Sequence, residues 1–130
     1  MRQKKPFVDL KGRAVWIRSL EGFVARDDVS QALVVVAEED LDDFRDRFKA
    51  NLPFLDGDVV VGGETRMDSV SNALAEIREE IDYVAVHDAA RPLIAEKWID
   101  DVFSAAVEHG AAIPAVPVSS TLKREGDDGT

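Results

Sequence analysis

The sequence predicts an α/β fold of the Rossmann-like, three-layer kind, with helices covering both faces of a mostly parallel sheet. Three observations predict it. Short apolar runs without polar alternation recur along the chain, segments of helical period separate them, and glycine or charged residues stand where several of the runs stop. A strand buried on both faces reads as a continuous apolar run, and strands alternating with helices at this spacing make βαβ units.

The first expected element is a helix over Ala14–Phe23, with Val15, Leu20 and Phe23 on or near one face. Gln31–Ala37 carries the run Ala-Leu-Val-Val-Val-Ala and is read as a doubly buried strand. Glu38–Ala50 places Leu41, Phe44 and Phe48 at helical intervals, with acids early and Arg45, Arg47 and Lys49 late. That polarity suits the helix macrodipole. Asp58–Val61 is a second short strand ending in Gly62-Gly63, and Ser69–Ile81 resumes the helical period through Val70, Ala73, Leu74 and Ile77. Tyr83–Val86 is read as a third strand, running into His87-Asp88. Ala95–His109 is a helix through Ile99, Val102, Phe103 and Ala106, closed by Gly110. Ala111–Val118 is read as a fourth strand with irregular edges, because Pro114 and Pro117 each lack a backbone donor.

Composition narrows the chemistry. The chain has 130 residues, 45% of them apolar, which suits one domain with a buried core. It has no cysteine, so disulfides, thiolate metal sites and cysteine nucleophiles are excluded, and its two histidines cannot build a multi-histidine cage. A formal net charge of −10 argues against nonspecific nucleic-acid binding, which needs a basic face. A small phosphorylated ligand remains compatible, since local cations and backbone N–H groups suffice within a Debye length of about 8 Å. No apolar run approaches the roughly 20 residues of a membrane helix. With no signal peptide at the start, the expectation is a cytoplasmic protein that engages no membrane.

Ligands of open α/β sheets sit beyond the carboxyl ends of the strands, so the segments after Ala37, Val61, Val86 and Val118 are the places to search. Two carry unusual chemistry. In Gly62-Gly63-Glu64-Thr65-Arg66-Met67-Asp68-Ser69, the glycines let backbone approach a ligand closely, and Ser69 stands near a helix start that favours an anion or a carbonyl oxygen. The same residues also read as a glycine turn with an Asp/Ser N-cap and a solvated Arg66. In His87-Asp88-Ala89-Ala90-Arg91-Pro92, Asp88 is placed to hold Mg²⁺ against phosphates, and Arg91 to pair with a phosphate or a carboxylate. The competing reading is a strand-end turn with an Asp–Arg ion pair, and His87 reads as a structural group.

Together these segments resemble the 2-C-methyl-D-erythritol 4-phosphate cytidylyltransferase family, within the nucleotide-diphospho-sugar transferase type of fold. The resemblance rests on Lys-Lys-Pro-Phe-Val-Asp-Leu-Lys-Gly at 4–12, Gly-Gly-Glu-Thr-Arg-Met-Asp-Ser-Val-Ser-Asn-Ala-Leu at 62–74 and Val-His-Asp-Ala-Ala-Arg-Pro-Leu at 86–93. A weaker match is Pro-Ala-Val-Pro-Val-Ser-Ser-Thr-Leu-Lys at 114–123. The resemblance implies attack by a sugar-alcohol phosphate oxygen on the α-phosphorus of CTP, in isoprenoid precursor synthesis. It implies catalytic roles for Lys5, on the triphosphate, and for Asp88, on Mg²⁺. Gly62, Gly63, Glu64 and Ser69 match positions around the cytosine and ribose, Ala89 a small residue beside the ribose, and Arg91 the support of that turn. Thr121 matches a substrate contact at the start of a protruding arm, through which the complete family forms homodimers.

There are departures from the family pattern. The family begins with a strand and a Gly-rich phosphate loop, and it continues past its arm to a further arginine and lysine. The expectation is therefore one incomplete nucleotidyltransferase domain over 1–130, without that loop and the C-terminal part, in which 118–130 begins the dimerisation arm. Its sheet is expected to lack a central strand, leaving unpaired backbone and an exposed apolar face. Ser120-Thr121 stands where the family has Asp-Thr. The alternatives are a ribitol-5-phosphate cytidylyltransferase, a non-catalytic nucleotide-binding fragment and a plain structural α/β domain.

Overall fold

The computed structural model describes residues 4–52, 57–78 and 80–123. In order come a 3-10 turn at Lys5–Phe7, α1 (Val15–Val24), β1 (Ala32–Val36), a 3-10 turn at Glu38–Asp40, α2 (Leu41–Phe48), β2 (Gly57–Val61), α3 (Arg66–Ala75) and α4 (Glu96–His109). The described residues fall into two compact units that divide after Glu96.

In the first unit β1 and β2 run parallel and pair directly, with Val34 opposite Val59 and Val36 opposite Val61. The βαβ unit anticipated from the apolar runs is thus formed, with α2 as its crossover. The ladder reaches one residue beyond β2, where the Gly62 N–H donates to the Val36 carbonyl at 2.8 Å. The parallel arrangement brings Ala37–Asp40 and Gly62-Gly63 to the same end of the sheet.

The core shows why these residues form these elements. Alternate strand residues share a face, and Val34, Val36 and Val59 pack with Ala14, Trp16, Ile17, Phe44 and Phe48. Phe44 is only 1% exposed, and its ring lies 5.0 Å from Trp16, 5.2 Å from Phe48 and 5.8 Å from Phe7. Four aromatic rings thus hold α1, α2 and the Lys5–Phe7 turn against one face of the strands. Val35 points the other way, to the side where Ser69 lies, and α3 contacts both strands. The fully buried residues of α1 are Trp16, Ile17 and Ser19, while Val15, Leu20 and Phe23 of the expected stripe are half-buried, with Leu20 packed against the core.

Several boundaries differ from expectation. Instead of spanning 69–81, α3 runs from Arg66 to Ala75, and its early start follows from Thr65, which caps it four residues ahead of Ser69. Tyr83–Val86 and Ala111–Val118 form no strand among the described residues. Apolar character makes a segment suitable for a sheet, but a ladder needs a neighbour to receive its N–H and C=O groups. Val84, Val86, Val116 and Val118 are all more than half exposed. Pro114 and Pro117 further thin the donors of the later segment.

The second unit contains α4, in which Ile99 is buried and Lys97 pairs with Asp101 one turn on at 2.8 Å. Gly110 ends the helix as expected, with φ +84 and its N–H on the Ala106 carbonyl at 2.7 Å. Of the expected arm, 124–130 lie outside the described residues, as does Arg2 of the basic N-terminal stretch.

Candidate functional site

The glycine turn is shaped by its own helix. A Cβ on Gly63 would lie 2.4 Å from the Asp68 Cβ, and one on Gly62 would lie 3.1 Å from the Ser69 hydroxyl. The turn curls tightly enough for the Gly63 N–H to donate to Ser69 Oγ at 3.1 Å, while that hydroxyl donates to the Thr65 carbonyl at 2.9 Å. Thr65 and Asp68 close a reciprocal capping box: the Asp68 N–H reaches Thr65 Oγ1 at 3.1 Å, and the Thr65 N–H reaches Asp68 Oδ2 at 3.1 Å. Asn72 donates to the Val61 carbonyl at 3.0 Å, tying the first turns of α3 to the end of β2. The capping reading of this segment is thus realised, with Thr65 as its N-cap.

The second motif forms a compact turn in which the Arg91 N–H donates to the Asp88 carbonyl at 2.9 Å. His87 Nε2 lies 3.0 Å from the Arg91 carbonyl, and since a carbonyl only accepts, that nitrogen carries the proton. The His87 ring also rests on Phe23 of α1, with centroids 5.1 Å apart. Ser19, 3% exposed on the same helix, donates to the Ala89 carbonyl at 2.8 Å and lies 3.1 Å from the carbonyl of Val15. His87 therefore fastens the turn, in keeping with its structural reading.

Asp88 joins the two motifs. Arg91 Nε meets Asp88 Oδ2 at 2.9 Å from within the turn, and an Arg66 guanidinium nitrogen meets Oδ1 at 3.0 Å from the first residue of α3. Arg66, read from sequence as merely solvated, is the residue that reasoning missed. The Thr-x-x-Asp capping pattern at 65–68 could have found it, since that pattern starts the helix at Arg66 and aims its side chain from the strand's carboxyl end.

The N-terminal segment reaches the same end of the sheet. Lys4 bonds Glu39 at 2.9 Å and Asp40 at 2.5 Å, in the turn that follows β1. Its hydrogen bonds to those carboxylates raise the Lys4 pKa and lower that of Glu39. Lys5, next along, is exposed; its carbonyl accepts from the Val8 N–H at 3.3 Å, and its side chain has no hydrogen-bond or ion-pair partner among the described residues. Glu64, Ala89 and Ala90 are exposed, whereas Thr121 stands exposed in the second unit. A cavity of about 260 Å³ opens elsewhere, between Phe7, Arg13, Arg47 and Phe48, and none of the predicted site residues lines it.

A parallel α/β sheet with a glycine turn, a capped helix start and an arginine-clamped carboxylate gathered at its carboxyl end defines an α/β protein of the class whose ligands sit beyond the carboxyl ends of the strands. The particular family follows from comparison. The chain matches the family model of IspD: 2-C-methyl-D-erythritol 4-phosphate cytidylyltransferase over residues 1–130, and it belongs to that family. It is 38% identical to the 2-C-methyl-D-erythritol 4-phosphate cytidylyltransferase of Rhodopirellula baltica, over 99% of this chain and 58% of that protein. It is 37% identical to the enzyme of the same name from Bacillus pumilus, over 94% of this chain and 53% of that protein. It is also 33% identical to a bifunctional enzyme IspD/IspF of Desulfotalea psychrophila, over 92% of this chain and 31% of that protein. The chain spans about half the length of most of the curated relatives it matches.

The Mg²⁺ implied by the family can be tested against the donors present. Among the described residues there is no group of three or more His, Cys, Asp or Glu side chains able to hold a metal. Asp88 offers a single carboxylate, one-third exposed at 33%. That donor set fits Mg²⁺, which commonly arrives on phosphates and takes one or two carboxylates, and does not fit an ion caged by protein alone.

Proposed function

We propose that the protein transfers CMP from CTP to 2-C-methyl-D-erythritol 4-phosphate and releases pyrophosphate, in isoprenoid precursor synthesis. A phosphate oxygen of the acceptor forms a bond to the α-phosphorus of CTP. The bond from that phosphorus to the bridging oxygen breaks, and the electron pair leaves with pyrophosphate. Such chemistry asks the protein chiefly for positioning and charge stabilisation. Family membership supports the reading, and the observation that carries it is the Arg66–Asp88 bridge, which unites both motifs of the resemblance at one end of a parallel sheet.

In this reading Gly62, Gly63, Glu64 and Ser69 receive the cytosine and ribose, with Ala89 beside the ribose and Arg91 supporting its turn. Lys5 meets the triphosphate, its ammonium unpaired among the described residues. Asp88 holds Mg²⁺, which supplies charge neutralisation on the phosphates when bound. Thr121 contacts the acceptor phosphate in a homodimer of the complete protein. The enzyme works in the cytoplasm, with neither nucleic acid nor membrane as partner. Among the described residues no helix is long and apolar enough to cross a membrane.

The test is pyrophosphate release by the full gene product with Mg²⁺, the acceptor and each of the four nucleoside triphosphates in turn. Release with CTP alone is expected. Equal release with ATP would overturn the cytosine assignment, and release only with ribitol 5-phosphate as acceptor would overturn the acceptor.

A further inference from the structure

We propose that Arg66 is a positioning residue for Asp88, coupling the glycine turn to the carboxylate that the proposed reaction requires. This inference rests on the cytidylyltransferase reading and deepens it. Arg91 grips Asp88 from three residues away, inside the same turn, so it shapes that turn without relating it to anything else. Arg66 grips the other carboxylate oxygen from a different element. Its backbone is itself fixed, because Thr65 and Asp68 lock the start of α3 and the close approach of Gly63 to Asp68 leaves the turn no slack. A displacement of the glycine turn is therefore carried by Arg66 to Asp88.

Each carboxylate oxygen has two lone pairs, and the two guanidiniums take one on each, so each oxygen keeps a second pair for a cation whose charge is offset by the phosphates it arrives on. Two arginines fix the carboxylate's rotation while leaving it able to accept a cation. The Arg66 side chain is 71% exposed, and exposed pairs of this kind contribute little to stability. Loss of Arg66 should thus misorient Asp88 without unfolding the protein. Partners that orient a metal ligand typically contribute about 10- to 100-fold in metal affinity or activity.

The test uses the full gene product and its variants Arg66→Gln, Arg66→Lys, Asp88→Asn and the double variant Arg66→Gln/Asp88→Asn. Arg66→Gln is expected to lower kcat by about tenfold or more, with KM for CTP changed by less than about threefold and an unchanged melting temperature. Arg66→Lys should recover part of the loss. In the Asp88→Asn background, Arg66→Gln should cost nothing further, since two residues acting as a unit are non-additive. Water-proton relaxation with Mn²⁺ alone, and then with Mn²⁺ and CTP, supplies a readout independent of turnover, and Arg66→Gln should weaken Mn²⁺ binding by about tenfold. Losses that multiply in the double variant, a change confined to KM, or Mn²⁺ binding equal to that of the parent would each overturn the proposal. Should the parent release no pyrophosphate from CTP, the functional reading fails, and the Mn²⁺ titrations of parent and Arg66→Gln still decide whether Arg66 positions Asp88.

Discussion

Single residues at the carboxyl end of the sheet divide into those that perform chemistry and those that hold shape. The proposed reaction puts Asp88 in the first kind, with both of its oxygens met by guanidiniums and its side chain one-third exposed. Asp88→Ala should lower pyrophosphate release by several orders of magnitude while leaving the circular dichroism spectrum intact. Near-normal turnover would remove Asp88 from the reaction. Gly63 belongs to the second kind: any Cβ there meets Asp68 at 2.4 Å. Gly63→Ala should therefore destabilise the protein by about 1–3 kcal/mol in urea titration, through forced backbone shifts at the start of α3. A stability equal to the parent's would show that the turn relaxes freely.

Elements are held by the aromatic cluster and by charged staples, and the two respond differently to perturbation. Phe44 links α2 to α1 through Trp16 and to the Lys5–Phe7 turn through Phe7, and it packs on Phe48 within α2. Phe44→Ala should cost about 3–5 kcal/mol, a large share of the stability of an ordinary domain, and should show as a lowered denaturant midpoint. The Lys4 staple to Glu39 and Asp40 is instead governed by pH. The raised Lys4 pKa means its contribution is complete below the ordinary lysine value of 10.5 and is lost as pH climbs through the higher folded value. The lowered Glu39 pKa means its contribution is complete above 4.5 and is lost as pH falls through the lower folded value. Protection of the amides around Lys5–Phe7, corrected for intrinsic exchange, should accordingly fall at both extremes, and Lys4→Met should abolish that dependence of the protection on pH. Identical profiles for parent and variant would separate the staple from the local order.

For the whole molecule, the decisive feature is apolar surface that the described residues leave open. Val84, Val86, Leu93, Ile113, Val116 and Val118 are all more than half exposed, with Leu93, Ile113 and Val116 above four-fifths. Exposed apolar surface on this scale marks association or incomplete burial. The 130-residue chain should bind a hydrophobic dye such as ANS and self-associate in sedimentation. A monomer that leaves the dye dark would show that this surface is covered.

The sequence by itself determined the elements whose signal is local. The Val-rich runs gave β1 and β2, the spacing of Leu41, Phe44 and Phe48 gave α2, and Gly110 gave the end of α4, because periodicity and glycine's access to positive φ need no distant partner. Both motifs were legible for the same reason, and the diglycine turn stands at the end of β2 as read, whereas Asp88 and Arg91 follow a segment that forms no strand among the described residues. Pairing was decided by tertiary structure alone. Tyr83–Val86 and Ala111–Val118 have the composition of strands yet form no ladder among the described residues, since a strand exists only against a neighbour. The buried face of α1 turned on where Phe44 and Phe48 stood, and the role of Arg66 turned on Asp88, which lies 22 positions along the chain but 3.0 Å away in space. Contacts of that range follow from how the elements pack and leave no period or spacing in the sequence to be read.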